Sequence, residues 1–300
     1  MASGDTTTLE LQDSLPSIVA SARIVREYEG NMQRLAENIT LGEGTGLSWR
    51  EVSFAQLNGQ DITETTYLDN PQQLSDSMFT VTPSVSAIHT VITDRVKARI
   101  SKNALAKVGS LAQNAIERKK DEDGLAILDA ASETVAGGNA ALTAGHIGAA
   151  GARVRYGHGI EPTSSPVRAV LHAYQIKDIY SEIINYGPTA AWTTSPFAVT
   201  LGDFQARVYQ EGFMGKINGV EIFENNNISI DSDLDAHGGV FAQEGVVLVQ
   251  GRSPRVVTLR NEKLGGGADE LIIYDEYAYG ERSAGAWIVD VTSDATEPTT

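Results

Sequence analysis

The 300-residue chain contains no cysteine, which excludes a disulfide framework, a thiolate metal site and a thiol nucleophile, and fits folding in a reducing compartment. It has no apolar run of the about 18 residues needed to cross a bilayer, so no membrane partner is expected. The opening residues MASGDTTTLELQD lack the basic-then-apolar layout of a secretory signal, and synthesis in the cytosol is expected. Positive charge is scarce: 23 Lys and Arg stand against 39 Asp and Glu, a net charge of −16. A surface that tracks nucleic-acid phosphates needs clustered Lys and Arg, so a tight grip on nucleic acid is excluded, and the acidity reads first as solubility. Proline is also sparse, at 9, whereas 29 glycines leave room for many turns.

Catalytic templates are missing as well. His89, His146, His158, His172 and His237 are scattered, with no spacing that would place two on one helix face for a metal. Asp231, Asp233 and Asp235 alternate like the start of a calcium loop, but the required glycine is absent and Ala242 stands where the bidentate glutamate should be; an acidic surface loop is the better reading. Gly145, Gly148 and Gly151 resemble a nucleotide loop, yet VAGGNAAL before them is a poor strand, and such a loop must follow a strand. No phosphate-binding GxxxxGK[ST] loop and no GxSxG elbow occur. Neither a cofactor nor a catalytic residue is assigned, and the balance moves toward a structural or binding role.

What is present is a series of elements. Leu15, Ile18, Val19, Ala22 and Val25 recur at helical spacing behind Ser14 and Pro16, with Gly30 as a stop. In GTGLSWREVSFAQLNGQDITETTYL, Leu47 and Trp49 share one face while Val52 and Phe54 share the other; the slip near Arg50 predicts a bulge or a strand covered on both faces. This stretch has aromatic anchors and no core of its own. MFTVTPSVSAIHTVI puts Phe79, Val81, Val85, Ala87 and Val91 on one face and suggests the return strand of a long hairpin, with Pro83 marking an edge. Leu105, Val108, Leu111, Ala112, Ala115 and Ile116 form a helical stripe that predicts a long helix ending or kinking at KKDED and Gly124. A strand over 167–172 then feeds a helix ending at Gly187. Asn218-Gly219 marks a tight hairpin, and GVVLVQG, RVVTLR, ELIIYDEYAYG and GAWIVDV are further strands. Residues 293–300 read as a disordered tail. No repeat and no Pro/Ser-rich linker divides the chain into sequential units, so an inserted arrangement is expected.

This order of pieces, with GKINGVEIFENNN and ELIIYDEYAYGERSAGAWIVDV, resembles the major capsid proteins of tailed bacteriophages, the Hong Kong 97-type or Johnson fold, across essentially the whole chain. The resemblance implies an α+β fold with an N-arm over 1–43 and an extended E-loop hairpin over 44–80. It implies a P-domain over 81–137, with a spine helix at about 101–123, and an inserted axial A-domain over 138–250. P-domain strands return over 251–292, and LRNEKLGGGADEL becomes a P-loop. Inter-subunit contacts are then expected at Trp49, Arg50, Phe54, Tyr67, Phe79, Gly265, Gly266 and Gly267.

The implied function is self-assembly into pentamers and hexamers of an icosahedral head enclosing double-stranded DNA without sequence-specific binding. The implied partners are copies of itself, a scaffolding protein, a portal protein and a decoration protein. The implied location is the virion, assembled in the host bacterial cytoplasm. Some members join subunits through an E-loop lysine; residues 44–80 contain no lysine, so non-covalent contacts are expected here. The N-arm is too short to carry a scaffolding segment, which implies a separate scaffolding protein. An encapsulin-like compartment of the same fold is the alternative, and a nucleotide-dependent enzyme using Gly145–Gly151 is a more distant one.

Overall fold

The computed structural model describes residues 27–64, 71–99, 102–185, 215–264 and 266–298. The expected helix at 15–26, and with it the Ser14 cap, lies outside the described residues, as do Tyr67, the helix end at Gly187, and Gly265. Five α-helices are present among them: α1 (Met32–Leu35), α2 (Asp94–Lys97), α3 (Lys102–Asp129), α4 (Ala144–Tyr156) and α5 (Ala173–Asn185).

A six-stranded sheet has the order β5 (Thr134–Ala136), β12 (Ile288–Asp294), β9 (Asp235–Ala242), β6 (Val167–Leu171), β8 (Val220–Glu224), β7 (Lys216–Ile217). Along β9, Val240 and Ala242 join Ile147, Val154, Leu171 and Ile179, whereas Phe241 joins Met32, Leu35 and Leu128. Successive side chains of a strand point to opposite faces. The sheet is therefore covered by α4 and α5 on one face and by α3 and α1 on the other.

A second sheet runs β1 (Glu37–Thr40), β10 (Val246–Asn261), β11 (Ala268–Glu281), β4 (Ser84–Thr93). GVVLVQG and RVVTLR prove to be one long strand, whose register shifts around Gly251 and Pro254; a bulge there accommodates a proline that cannot donate a ladder hydrogen bond. The third sheet is the two-stranded ribbon β2 (Trp49–Phe54) and β3 (Asp76–Val81).

Several expectations change. The register from Trp49↔Val81 to Phe54↔Asp76 is continuous, so no bulge sits at Arg50. The slip in the sequence arises because Trp49 turns to the body while Val52 and Phe54 face solvent. The return strand breaks at Pro83: β3 pairs with β2, and β4 leaves to become the edge of the second sheet, which satisfies the proline. In β4, Val91 is buried as expected, but Val85 and Ala87 on the same face are exposed and Ile88 on the other face packs on α3.

The long helix does not end at Gly124. A Cβ on that residue would lie 2.9 Å from Met32 and 3.0 Å from the Tyr279 ring, so the glycine permits close approach, and the helix continues to Asp129. Asn218 and Gly219 do form the tight turn, with φ of 48° and 78°. Ser293 and Asp294 end β12 and Ala295 is 2% exposed, so these residues of the expected tail belong to the fold.

Gly145, Gly148 and Gly151 lie inside α4, which starts behind a Thr143 side chain accepting from the His146 N–H at 3.3 Å. A Cβ on Gly148 or Gly151 would lie 2.3 Å from Asn218 or 2.4 Å from Val220. These glycines let the helix lie against the β7–β8 hairpin and form no phosphate loop. The acidic loop is likewise self-satisfied: Asp231 accepts from the N–H groups of Asp233 and Asp235, and Asp235 accepts from Asn139. Among the described residues, no cluster of three His, Cys, Asp or Glu is spaced to hold a metal.

Candidate inter-subunit surface

The β2–β3 ribbon is fastened at its base and free beyond it. Trp49 meets Phe79 edge to face, with centroids 5.8 Å apart, and the pair packs with Val81, Val247 and Val249. Gly280 admits this contact, because a Cβ there would lie 2.4 Å from Val81. The Arg282 guanidinium stands 5.8 Å from the Trp49 ring. It donates to Glu37 at 2.6 Å, to Glu51 at 2.8 Å and to the Glu244 carbonyl at 2.8 Å. Burial alone would lower its pKa; the Glu37 and Glu51 carboxylates outweigh that and hold the cation. The other face of the ribbon presents Val52, Phe54 and Met78, the last two more than 60% exposed, with Arg50 beside them.

Between the ribbon and the β11–β12 corner runs a groove of about 750 Å³, walled by Phe54, Met78, Ile160 and Trp287. Its corner is conformationally strained, since Ser283 and Ala284 hold φ of 55° and 49° before Gly285 at 79°. Ser283 Oγ donates to the Glu161 carboxylate at 3.0 Å, and Trp287 Nε1 donates to the Glu161 carbonyl at 2.6 Å. Glu161, Glu281 and Asp76 line the groove, and none has a cationic partner among the described residues. Burial raises the pKa of Glu281.

The loop between β10 and β11 lies at the opposite end of β11. Thirteen residue steps separate Ala268 from Glu281, and at about 3.3 Å per residue that is roughly 40 Å. Gly266 and Gly267 hold φ of 93° and 107° there. Gly267 also accepts from the Asp94 N–H at 2.9 Å, and a Cβ on it would collide with Arg260 and Asp94. Arg260 pairs with Asp94, with Asp269 at 3.0 Å and with Glu262 at 2.7 Å, and Lys97 pairs with Asp269. Hydrogen bonds from Arg260 hold Asp94 below the usual carboxylate range, and those from Lys97 and then Arg260 do the same for Asp269.

The expected contact residues therefore divide into two groups: Trp49, Arg50, Phe54 and Phe79 on the ribbon, and Gly266 with Gly267 at the far loop. Trp49 and Phe79 serve the base of the arm, whereas Phe54 and Arg50 are exposed. Arg282, Glu161, Ile160 and Trp287 were not anticipated, because nothing in their local sequence announces a groove that four separate segments build.

The interior of α3 holds a second network. Lys120 Nζ lies 2.6 Å from Asp275, with the two side chains 5% and 1% exposed, and 4.8 Å over the Tyr277 ring. The Tyr277 hydroxyl donates to Asp123 at 2.7 Å; burial first, then that carboxylate, raise its pKa. Asp121 accepts from the Met32 N–H at 2.9 Å, from Asn225 at 2.7 Å and from Asn227 at 2.9 Å. One helix turn thus ties the entering chain, the loop after β8 and β11 together.

This mixed helix-and-sheet architecture is shared with solved phage capsid chains. The head structure of Helicobacter pylori bacteriophage KHP40 matches with a TM-score of 0.70 at 12% identity, covering 99% of this chain and 100% of that one. The capsid of Ralstonia phage GP4 matches with a TM-score of 0.68 at 11% identity, covering 99% and 100%. The capsid of cyanophage P-SCSP1u matches with a TM-score of 0.67 at 11% identity, covering 96% and 95%. No protein-family model and no curated protein matches the chain. The fold is that of phage capsid chains.

Proposed function

We propose that the chain is the major capsid protein of a tailed-phage head, self-assembling into the five- and six-membered rings of an icosahedral shell around packaged double-stranded DNA. The observation that carries this reading is the likeness to capsid chains over 96–99% of the chain. In this reading 1–43 is the N-arm, 44–80 the E-loop, α3 the spine helix, 138–250 the axial domain, and 251–292 the returning peripheral strands. The role is structural, in the virion, after assembly in the host cytoplasm.

The ribbon supports the reading physically. Its base is anchored in its own subunit by Trp49 and Phe79, while the exposed Val52, Phe54 and Met78 would gain burial against another chain. With no lysine in 44–80, the arm holds by packing and strand hydrogen bonds. Scaffolding, portal and decoration proteins complete the set of partners, and the net charge of −16 suits DNA that is enclosed without being gripped.

Negative-stain microscopy of the purified full chain is expected to show closed particles, and boiling them in detergent is expected to release ordinary monomers. A monomer or dimer under every condition would refute the shell, and a ladder of covalent multimers would refute the non-covalent clasp.

A further inference from the structure

The two ends of the β4–β10–β11 ladder carry opposite charge that neither end can neutralise. At the groove end, Asp76, Glu161 and Glu281 have no cationic partner among the described residues, and the nearby Arg282 is already taken by Glu37 and Glu51. At the loop end, Arg95 and Arg99 are exposed on and just after α2, and neither has an anionic partner among the described residues; their neighbour Lys97 is held by Asp269 and Arg260 by Asp94. Unmatched cations are notable in a chain with 16 more acidic than basic residues. Roughly 40 Å of β11 separates the two ends, several Debye lengths at physiological salt, so they cannot satisfy each other within one molecule.

We propose that the Arg95–Arg99 end of one copy docks into the Asp76–Glu161–Glu281 groove of the next, a head-to-tail contact between different patches. Such a contact closes into a ring when its rotation allows, whereas joining either patch to itself would set like charges face to face. The groove walls Phe54 and Ile160, 65% and 62% exposed, supply the apolar area that this docking would bury. The Gly267–Asp94 hydrogen bond and the Arg260 network brace α2, so the cations are presented on a fixed support. The proposal deepens the shell reading by naming which surface of one copy meets which surface of its neighbour, and it rests on that reading.

The test is charge reversal in the full chain, read by sedimentation and negative-stain counting of particles. Arg95→Glu with Arg99→Glu, and separately Asp76→Lys with Glu161→Lys, are each expected to lower the assembled fraction roughly tenfold or more. The chain carrying all four substitutions restores the pairing in reverse and is expected to assemble. Circular dichroism of the unassembled subunits separates lost docking from lost folding, and recovery by the fourfold variant could not come from a misfolded chain. Normal assembly of either reversed pair, or no recovery in the fourfold variant, would overturn the docking while leaving the shell intact. A wild-type chain that never assembles would instead overturn the shell reading, and the docking with it.

Discussion

Replacing Lys120 by methionine removes one half of an ion pair whose members are 2.6 Å apart and 5% and 1% exposed. The Asp275 carboxylate would keep its burial and lose its one charged partner; its Oδ1 already lacks a hydrogen bond. Breaking a buried pair in this way costs about 3–5 kcal/mol, because an uncompensated charge stays in a medium of low dielectric. The ammonium also stands 4.8 Å over Tyr277, and the lost cation–π contact falls within that figure. Urea unfolding of the unassembled subunit, followed by circular dichroism, should show the midpoint falling by roughly 1–1.7 M for a slope of about 3 kcal/mol per molar. The double variant Lys120→Met with Asp275→Leu should recover most of this loss, since a buried pair can be exchanged for apolar side chains at little net cost. A single variant within about 1 kcal/mol of wild type, or a double variant no more stable than the single, would refute the reasoning.

Three other substitutions probe different parts of the molecule. Gly151→Ala puts a methyl 2.4 Å from Val220, where α4 meets β8, and is expected to lower subunit stability by about 1–3 kcal/mol in the same urea titration. Asp94 and Asp269 have depressed folded-state pKa values, so the stability they contribute is complete above the unfolded value of about 3.9 and disappears as pH falls through the folded values. The melting-temperature gap between wild type and Arg260→Gln should therefore be open at neutral pH and close in acid below that value; a gap that widens in acid would contradict the assignment. Trp49→Ala removes the edge-to-face partner of Phe79 and the ring under Arg282, so particles should dissociate at lower temperature or denaturant in light scattering, and unchanged particles would show that the base of the ribbon does not matter.

Residues whose task is local could be read directly. Asn218-Gly219 needs positive φ at both positions and forms the tight turn; Pro83 cannot donate and sits where a strand leaves one partner for another. The apolar stripe of α3 was visible in part because burial repeats with the helical period: Ala112 and Ile116 are buried, whereas Leu111, expected with them, is exposed. Gly124 misled, because a glycine that breaks a helix and one that admits a neighbouring side chain are the same letter. What separates them at Gly124 is Met32 and Tyr279, 92 and 155 residues away in sequence. Val85 and Ala87 of β4 were misplaced for a related reason: Ile88 rather than Val85 meets α3, while Val91 on their face is buried as expected.

The amino-acid sequence alone determined the long helix α3, the strand-then-helix unit β6–α5, the Asn218-Gly219 turn, the absence of thiol chemistry and the coreless ribbon with its aromatic anchors. These follow from periodicity, residue type and turn stereochemistry, which act over a few residues. Only the tertiary structure decided which side of the ribbon is anchored, that Arg282 is spent on Glu37 and Glu51, and that Asp76, Glu161 and Glu281 share one groove. It also placed Arg95 and Arg99 at the other end of the ladder. Charge pairing depends on distance in space, and the distances that leave one groove anionic and one helix end cationic exist only once the strands have found their register.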